Sequence, residues 1–328
     1  MKTSIAMATY NGAKYIQEQL SSFLLQTHLP DELVVCDDFS TDETFEILKR
    51  FQREAPFSVR IYQNSENIGY TQNFSKAIEL CQGDIIFLSD QDDVWLPQKI
   101  KSALAALSEN PEVGYVFSDA MLVDENLAPI GNLWKRANFS NDRYKNYVDG
   151  NQVATILNGG NFVYGNTLIF RECYREIILP ISSKSWSVAH DTWISLLLSS
   201  IGARGAAIPE ALILYRQHTQ QATSAHKRQS IKDFVLAVME DKKSMLLERA
   251  NALRAISERA KSVPNNSSDL LDQCCCHLEA RASLYSKTSW GKIRTIFAEI
   301  NSGRYSRYSS SFKSAFCDFI FVKKVRAK

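Results

Sequence analysis

Short apolar runs alternate with segments of helical period along the first third of the chain. Ser4–Thr9, Leu33–Cys36, Val59–Tyr62 and Ile85–Leu88 are continuously apolar or nearly so, and polar turn residues follow each of them. Runs of this length with no polar face predict strands buried on both sides. Between them, Ile16, Leu20, Phe23 and Leu24 recur at helical spacing. Ser40 and Glu43 form an S-x-x-E capping box ahead of Phe45 and Leu48. Phe74–Leu80 suits a helix closed by Gly83, and Pro97 opens another at its first turn. The alternation predicts an α/β fold, a mostly parallel sheet with helices on both faces.

From Val113 the pattern loosens. Tyr115–Phe117, Met121–Val123, Phe162–Phe170 and Leu212–Tyr215 read as strands, Thr192–Ser200 as a helix, and polar Lys135–Asn146 as a mobile loop. After Ser224 the periodicity becomes helical throughout. Ile231, Phe234, Val235, Val238, Met239, Leu246, Leu253 and Ile256 describe a long amphipathic helix. Pro264-Asn265-Asn266 breaks it, and Leu270, Leu271, Cys274, Leu278 and Leu284 restart it. Phe312, Phe316, Phe319 and Ile320, followed by Lys323, Lys324, Arg326 and Lys328, form a basic aromatic end. The expected organisation is an α/β unit over residues 1–222 and a C-terminal α-helical extension over 223–328.

Composition narrows the class. Of 328 residues 45% are hydrophobic and 23% charged, which excludes a disordered or fibrous chain. No apolar run approaches the length that spans a bilayer, and the apolar run near Met1 is too short for a secretory signal. Seven cysteines, an odd number, point to reduced thiols and a cytoplasmic setting. Cys274-Cys275-Cys276-His277 is expected to pack as small buried thiols, because three adjacent helical side chains diverge and cannot share one tetrahedral ion. The net charge of +2 conceals an asymmetry. Residues 1–222 hold 18 Lys and Arg against 26 Asp and Glu, a net of −8; residues 223–328 hold 20 against 10, a net of +10.

In an open α/β sheet ligands bind beyond the carboxyl ends of the strands. Three polar clusters fall there: Thr9-Tyr10-Asn11, Asp37-Asp38 and Asp90-x-Asp92-Asp93. Turn chemistry alone accounts for the first. Three carboxylates within four residues repel one another unless a cation relieves them, and suit a hard divalent ion that leaves positions open for phosphate oxygens.

The segments I-A-M-A-T-Y-N at 5–11, V-V-C-D-D-F-S-T-D-E-T at 34–44 and L-S-D-Q-D-D-V-W-L-P at 88–97 resemble family 2 glycosyltransferases of the GT-A fold. Gly165-Asn166-Thr167, His190-Asp191-x-Trp193 and Tyr215-Arg216-Gln217-His218 extend the resemblance, in the family's order, over about residues 1–220. The flavour is that of bacterial rhamnosyltransferase-type enzymes that build O-antigen or other surface polysaccharides. The resemblance implies an inverting, metal-dependent transferase. Thr9, Tyr10 and Asn11 would line the nucleotide pocket, Tyr10 by stacking on the base. Asp38 would accept the pyrimidine imide N–H, which uracil and thymine share, and Asp37 would order the strand tip. Asp90 would bind the ribose or the metal shell. Asp92 would be the main ligand of Mn²⁺ or Mg²⁺, with His218 a second ligand and Arg216 a diphosphate contact, Glu210 being the plainer partner for Arg216. Asp93, Trp95, Gly165, Asn166, His190 and Trp193 would face the sugar or acceptor, Gly159-Gly160-Asn161 giving close backbone approach. Asp191 would be the general base, or in the plainer reading the N-cap of the helix that follows it. Many relatives carry Glu where this chain has His190.

The resemblance implies a dTDP- or UDP-sugar donor, with dTDP-L-rhamnose leading, and an oligosaccharide acceptor carried on a polyprenyl diphosphate. The basic amphipathic extension with interleaved aromatics suits the anionic cytoplasmic face of an inner membrane, or a homodimer contact. Nucleic acid is disfavoured by the acidic first part and the lack of a binding motif. Two other readings compete: a nucleotidyltransferase, for which Ala8–Lys14 lacks the Gly-rich phosphate loop, and an inactive carbohydrate- or nucleotide-binding subunit, against which the intact carboxylates count.

Overall fold

A computed structural model describes residues 1–158, 161–182, 188–219, 231–309 and 311–321. The first part runs β1 (Thr3–Thr9), α1 (Ile16–Leu24), β2 (Glu32–Asp37), α2 (Thr44–Glu54), β3 (Ser58–Gln63), α3 (Tyr70–Leu80), β4 (Ile85–Ser89), β5 (Val94–Trp95) and α4 (Lys99–Glu109). It continues through β6 (Val113–Val123), β7 (Pro129–Asn132), α5 (Leu133–Arg136), α6 (Asn141–Val148), α7 (Gln152–Leu157), β8 (Leu168–Arg171), α8 (Arg175–Ile178), α9 (His190–Ser200) and β9 (Arg204–Arg216). Five helices follow: α10 (Ile231–Ala260), α11 (Ser268–Ser283), α12 (Ser289–Asn301), α13 (Arg304–Tyr308) and α14 (Ser311–Phe321).

The described strands form one sheet in the order β3-β2-β1-β4-β8-β6-β9-β5, with β7 paired to the far end of β6. β3, β2, β1 and β4 are parallel, as the apolar runs predict. The other half is mixed: β8 runs antiparallel to β4 and β6, β9 parallel to β6, and β5 antiparallel to β9. Side-chain alternation feeds two cores. Ile5, Met7, Leu33 and Val35 pack with Leu20 and Phe23 of α1, Leu48 of α2 and Ile100 of α4 on one face. Ala6, Ala8, Val34 and Cys36 point to the other, with Phe74 of α3 and Trp193 and Leu197 of α9. That second cluster runs on without a gap through Leu253, Ile256, Leu271 and Cys274, so α10 and α11 pack on the sheet's helical cover. The expected boundary at residue 222 lies outside the described residues, as do Gly159 and Gly160 and the basic end from Lys323 to Lys328.

Several local expectations are corrected. Tyr115–Phe117 and Met121–Val123 belong to one eleven-residue strand, whose register against β9 shifts around Asp119. Only the end of Phe162–Phe170 is strand; Gly165–Thr167 is a 3-10 turn. The stretch taken for a mobile loop holds α5 and α6, the latter capped by the Ser140 side chain accepting from Arg143 N. The capping box does not form. Ser40 Oγ instead donates to Asp37 Oδ1 at 2.5 Å and accepts from Asn11 N at 2.9 Å, and Asp42 Oδ1 receives Thr44 N at 3.0 Å. Cys274 and Cys275 are buried thiols, whereas Cys276 is exposed; His277 is buried and bonded to Glu299 and Ser309.

Candidate active site

β4 brings Ser89 to the carboxyl edge of the sheet, and the chain turns through Asp90-Gln91-Asp92-Asp93 into β5. Asp93 is fully buried. Its Oδ2 accepts from Asn166 Nδ2 at 2.6 Å and its Oδ1 from Arg216 N at 3.1 Å. Burial drives the Asp93 carboxyl well above the usual carboxylate range; the Asp92 and Asp90 charges add to this, and its two hydrogen bonds oppose it. Asp90 is pushed up to about 7, by burial first and then by the charges of Asp92 and Asp191, with Lys99 opposing. These carboxylates crowd one another and are under electrostatic stress.

Lys99, which belongs to no motif, lies beneath them. It is fully buried; its Nζ donates to Asn166 O at 2.5 Å and sits 4.2 Å from the centre of the Trp95 ring. Burial lowers its ammonium to about 7, while the Asp93 and Asp90 charges hold it up. A Lys in the first turn of a helix opposes the helix dipole, and that was the one signal available in the sequence. Trp95 supports this ammonium from the core, against Phe23 at 4.9 Å and Phe87 at 5.9 Å between ring centres, and so does not reach a sugar pocket. Asn166 likewise faces Asp93 and Lys99.

Asp92 and His218 meet across 126 residues, with Oδ2 and Nε2 2.7 Å apart and both side chains largely buried. Tyr15 packs on the imidazole at 4.6 Å. Arg216 neither reaches toward a diphosphate nor pairs with Glu210. It is 1% exposed, its Nε donates to Asp92 O at 2.8 Å and an Nη to Glu125 O at 2.6 Å, its other Nη pairs with Glu18, and its guanidinium lies 4.6 Å from the centre of the Tyr15 ring. Its job here is to hold the acidic turn against β9.

On the other flank, Thr9 Oγ1 donates to Asp37 Oδ1 at 2.9 Å, and Asp37 also receives Ser40 N and Gln63 Nε2. Asp37 is thus fully occupied in shaping the strand tips. Asp38 is buried, with Oδ1 accepting from Asn64 Nδ2 at 2.8 Å and Ile68 N at 2.9 Å, and Oδ2 from Gly69 N at 2.9 Å. It ties down the 64–69 loop, and Oδ2 keeps room for one more donor. Asn11, at φ 46°, accepts from Thr41 N through its side chain and is a loop residue. Tyr10 is exposed, its backbone clamped from both sides by the Gln91 amide at 2.8 and 2.9 Å. A Cβ on Gly12 would lie 2.2 Å from Gln91 Oε1, so that clamp needs glycine there.

Asp191 sits in the first turn of α9, where the N-cap is Ala189, so Asp191 is not itself the cap. Its Oδ2 accepts from Asn161 Nδ2 at 3.1 Å and its Oδ1 from Thr192 N at 2.5 Å. Its charge reaches Asp90, and it adds to the upward pull of burial on the phenols of Tyr70 and Tyr164, which places it at the same cleft. Trp193, two residues on, points away from the cleft, since two residues turn about 200° around a helix. It is fully buried, its Nε1 donates to Ile178 O at 3.0 Å, and it does not line an acceptor pocket.

His190 is buried, stacked 4.1 Å from the Phe74 ring, with neither ring nitrogen bonded. Burial lowers its basicity, the Asp191 charge opposing. A Cβ on Gly165 would fall 2.4 Å from His190 Nε2. The glycine therefore makes room for the histidine rather than for a ligand. Gly165→Ala is expected to cost about 1–3 kcal/mol of overpacking in a denaturation midpoint, and His190→Ala in the same chain should recover part of it. Simple additivity of the two substitutions would refute the contact.

Among the described residues no group of three His, Cys, Asp or Glu could hold a metal ion. The donor set on the page is one carboxylate and one imidazole in direct contact, ringed by carboxyls pushed toward protonation. That set fits a divalent cation that takes its remaining ligands from diphosphate oxygens and water.

The chain is similar to known glycosyltransferases. The Glycosyl transferase family 2 model matches residues 4–177. A glycosyltransferase of uncharacterized specificity from Haemophilus influenzae is 28% identical over 228 residues, covering 69% of this chain and 68% of that one. The dTDP-rhamnosyl transferase RfbG of Shigella flexneri is 39% identical over 108 residues, 32% of this chain and 37% of that one. Among solved structures, S. aureus TarS 1-349 in complex with UDP-GlcNAc superposes with TM-score 0.56 at 19% identity, over 96% of this chain and 91% of that one. The mannosyltransferase PcManGT from Pyrobaculum calidifontis, in complex with GDP-Man and Mn²⁺, gives 0.53 at 16% identity, over 98% and 84%. These structures share the GT-A fold. The carboxylate turn, the distant histidine that meets it and the family match over more than half of the chain lead to one conclusion: this protein belongs to glycosyl transferase family 2.

Proposed function

We propose that the protein transfers a sugar, with inversion, from a pyrimidine nucleoside diphosphate to an oligosaccharide acceptor carried on a polyprenyl diphosphate, in assembly of a bacterial surface polysaccharide such as O-antigen. The contact of Asp92 with His218, on the same cleft as Asp191, is the observation that carries it. The leading donor is dTDP-L-rhamnose, supported by the partial similarity to RfbG. A UDP-hexose is the alternative, since uracil and thymine share the imide N–H that Asp38 would accept. No described helix is long and apolar enough to cross a membrane, and the proposed location is peripheral, at the cytoplasmic face of the inner membrane.

Asp191 Oδ2, oriented by Asn161, takes the proton of the acceptor hydroxyl as its oxygen forms a bond to the anomeric carbon. The bond from that carbon to the diphosphate breaks on the opposite face. Asp92 and His218 would hold Mn²⁺ or Mg²⁺, which supplies neutralisation of charge on the departing diphosphate. Exposed Tyr10 offers its ring to the base, and the spare lone pair of Asp38 offers an acceptor to the imide N–H. Arg216 and Lys99 keep the acidic turn in place rather than touching the donor.

A panel of nucleotide sugars, read by thermal shift and by hydrolysis with and without Mn²⁺ or Mg²⁺, tests this reading. The expected result is metal-dependent stabilisation and hydrolysis with dTDP- or UDP-sugars, greatest for dTDP-L-rhamnose, and loss of the metal response in His218→Ala. Stabilisation by purine nucleotides alone would overturn it.

A further inference from the structure

α12 and α14 turn apolar stripes outward. On α12, Trp290, Ile293, Phe297 and Ile300 recur at three- and four-residue spacing, with Trp290 83% and Phe297 61% exposed. On α14, Phe316, Phe319 and Ile320 do the same, with Phe316 62% exposed. An apolar groove of about 370 Å³ runs between the two helices, floored by Ile296 and Ala315. Exposed apolar surface of this extent marks an interaction site.

The charges around it have one sign. Between Leu284 and Lys328 the chain carries ten Lys and Arg but only two carboxylates, Glu299 and Asp318. Both carboxylates are buried and spent internally. Glu299 binds His277 at 2.7 Å and Arg304 at 2.8 Å. Asp318 takes Arg281 at 2.6 Å, Lys242 at 3.0 Å and the Tyr305 hydroxyl at 2.9 Å. Arg294, one turn from both Trp290 and Phe297, and Lys313, one turn before Phe316, are exposed. This segment therefore shows solvent aromatic rings, aliphatic groove and positive charge, and none of its own negative charge.

We propose that α12 and α14 form the face by which this enzyme lies on an anionic lipid bilayer, a reading that deepens the proposed peripheral location and rests on it. Trp290, Phe297, Phe316 and Phe319 seat at the boundary between headgroups and acyl chains, and Arg294 and Lys313 meet the anionic headgroups. Helices of 13 and 11 residues are too short to span a bilayer but long enough to lie in its interface. A second copy of the chain is the poorer occupant, because it would set this cationic segment against its own like charge. A nucleic acid offers phosphates to the cations but nothing to fill an aliphatic groove.

The test is sedimentation of the full chain with phosphatidylcholine vesicles, with and without phosphatidylglycerol. Binding is expected to be at least tenfold stronger with the anionic lipid, and to fall when salt is raised from about 0.1 to about 1 M, which shortens the screening length from ~10 to ~3 Å. Trp290→Ala with Phe316→Ala should weaken it at least tenfold while leaving circular dichroism and nucleotide-sugar hydrolysis unchanged, and Arg294→Glu with Lys313→Glu should do the same. Equal binding to both vesicles, no effect of either double substitution, or a concentration-dependent dimer that these substitutions dissolve would each overturn the proposal. Hydrolysis is read separately: if the unaltered chain turns over no nucleotide sugar yet binds anionic vesicles, the proposed reaction fails and the docking face stands.

Discussion

Asp191→Asn is expected to lower sugar transfer by about 10²–10⁴-fold with little change in folding. The reason is local. In the proposed reaction the Asp191 carboxylate takes the acceptor hydroxyl's proton, which an amide of the same shape cannot do. The substitution leaves Oδ1 to accept from Thr192 N as before. It sets a second amide against Asn161 Nδ2, now 3.1 Å from Oδ2. Asn161 cannot turn over without loss, because its own oxygen accepts from Val163 N at 3.0 Å. The conflict should cost on the order of one hydrogen bond, about 1 kcal/mol. Transfer rate and thermal midpoint measured on the same preparation separate the two effects. Activity within threefold of the parent would remove Asp191 from the reaction, and its N-terminal place on α9 would then be its whole role.

The second large effect is expected at a residue that touches no substrate. Lys99→Met should destabilise the metal-free protein by about 3–5 kcal/mol in a denaturant midpoint, as removal of one partner from a buried charge cluster does. Met keeps most of the volume against Trp95, so packing changes little. What is lost is the positive charge facing Asp93 and Asp90 and the donor to Asn166 O. The pH dependence has a definite sign. The Asp90 carboxyl is raised in the fold to about 7 from an ordinary 3.8, so at pH 6 the folded form holds a proton that the unfolded chain has released. The Asp90 contribution therefore falls as pH rises from about 4 to about 7, whereas Lys99, lowered to about 7 in the fold, gives up a proton that the unfolded chain keeps and so raises the parent's stability above pH 7; the variant keeps the first effect and lacks the second. The variant should be markedly closer to the parent at pH 6 than at pH 8. A loss under about 1 kcal/mol at pH 8, or no convergence at pH 6, would show that Lys99 is not the counter-charge. In the proposed reaction a cation held at Asp92 and His218 would relieve the same repulsion that Lys99 answers from below, so added Mn²⁺ or Mg²⁺ is expected to narrow the gap between variant and parent.

Misassigned residues share a cause. Trp95, Trp193, Arg216, Asn166 and Gly165 stand in the motifs, and all five were expected to face ligand, yet all five face protein. A motif marks where the chain must be kept in place, and ligand contact is only one reason for that. Trp193 follows Asp191 by two residues, which on a helix puts it on the far side. Arg216 reads as a phosphate contact because it is basic and near the cleft; only the positions of Glu18, Glu125 and Tyr15 reveal that its guanidinium is already satisfied. The roles of Lys99 and Gln91 escape the sequence for the converse reason, as each acts through a partner 67 or 81 residues away in the chain.

By itself the sequence determined the parallel strands, because a run buried on both faces is apolar at every position, and it determined the carboxylate-bearing strand ends, because parallel strands put their carboxyl ends on one edge. It also set the charge of each half. Tertiary structure alone decided the antiparallel half of the sheet, the meeting of Asp92 with His218 across 126 residues, the burial of Lys99 beside Asp90 and Asp93, and the inward turn of Glu299 and Asp318 that leaves the C-terminal segment without exposed carboxylates of its own. Periodicity reports which face of an element is apolar. Which charges a distant element brings to that face is fixed only when the chain has packed.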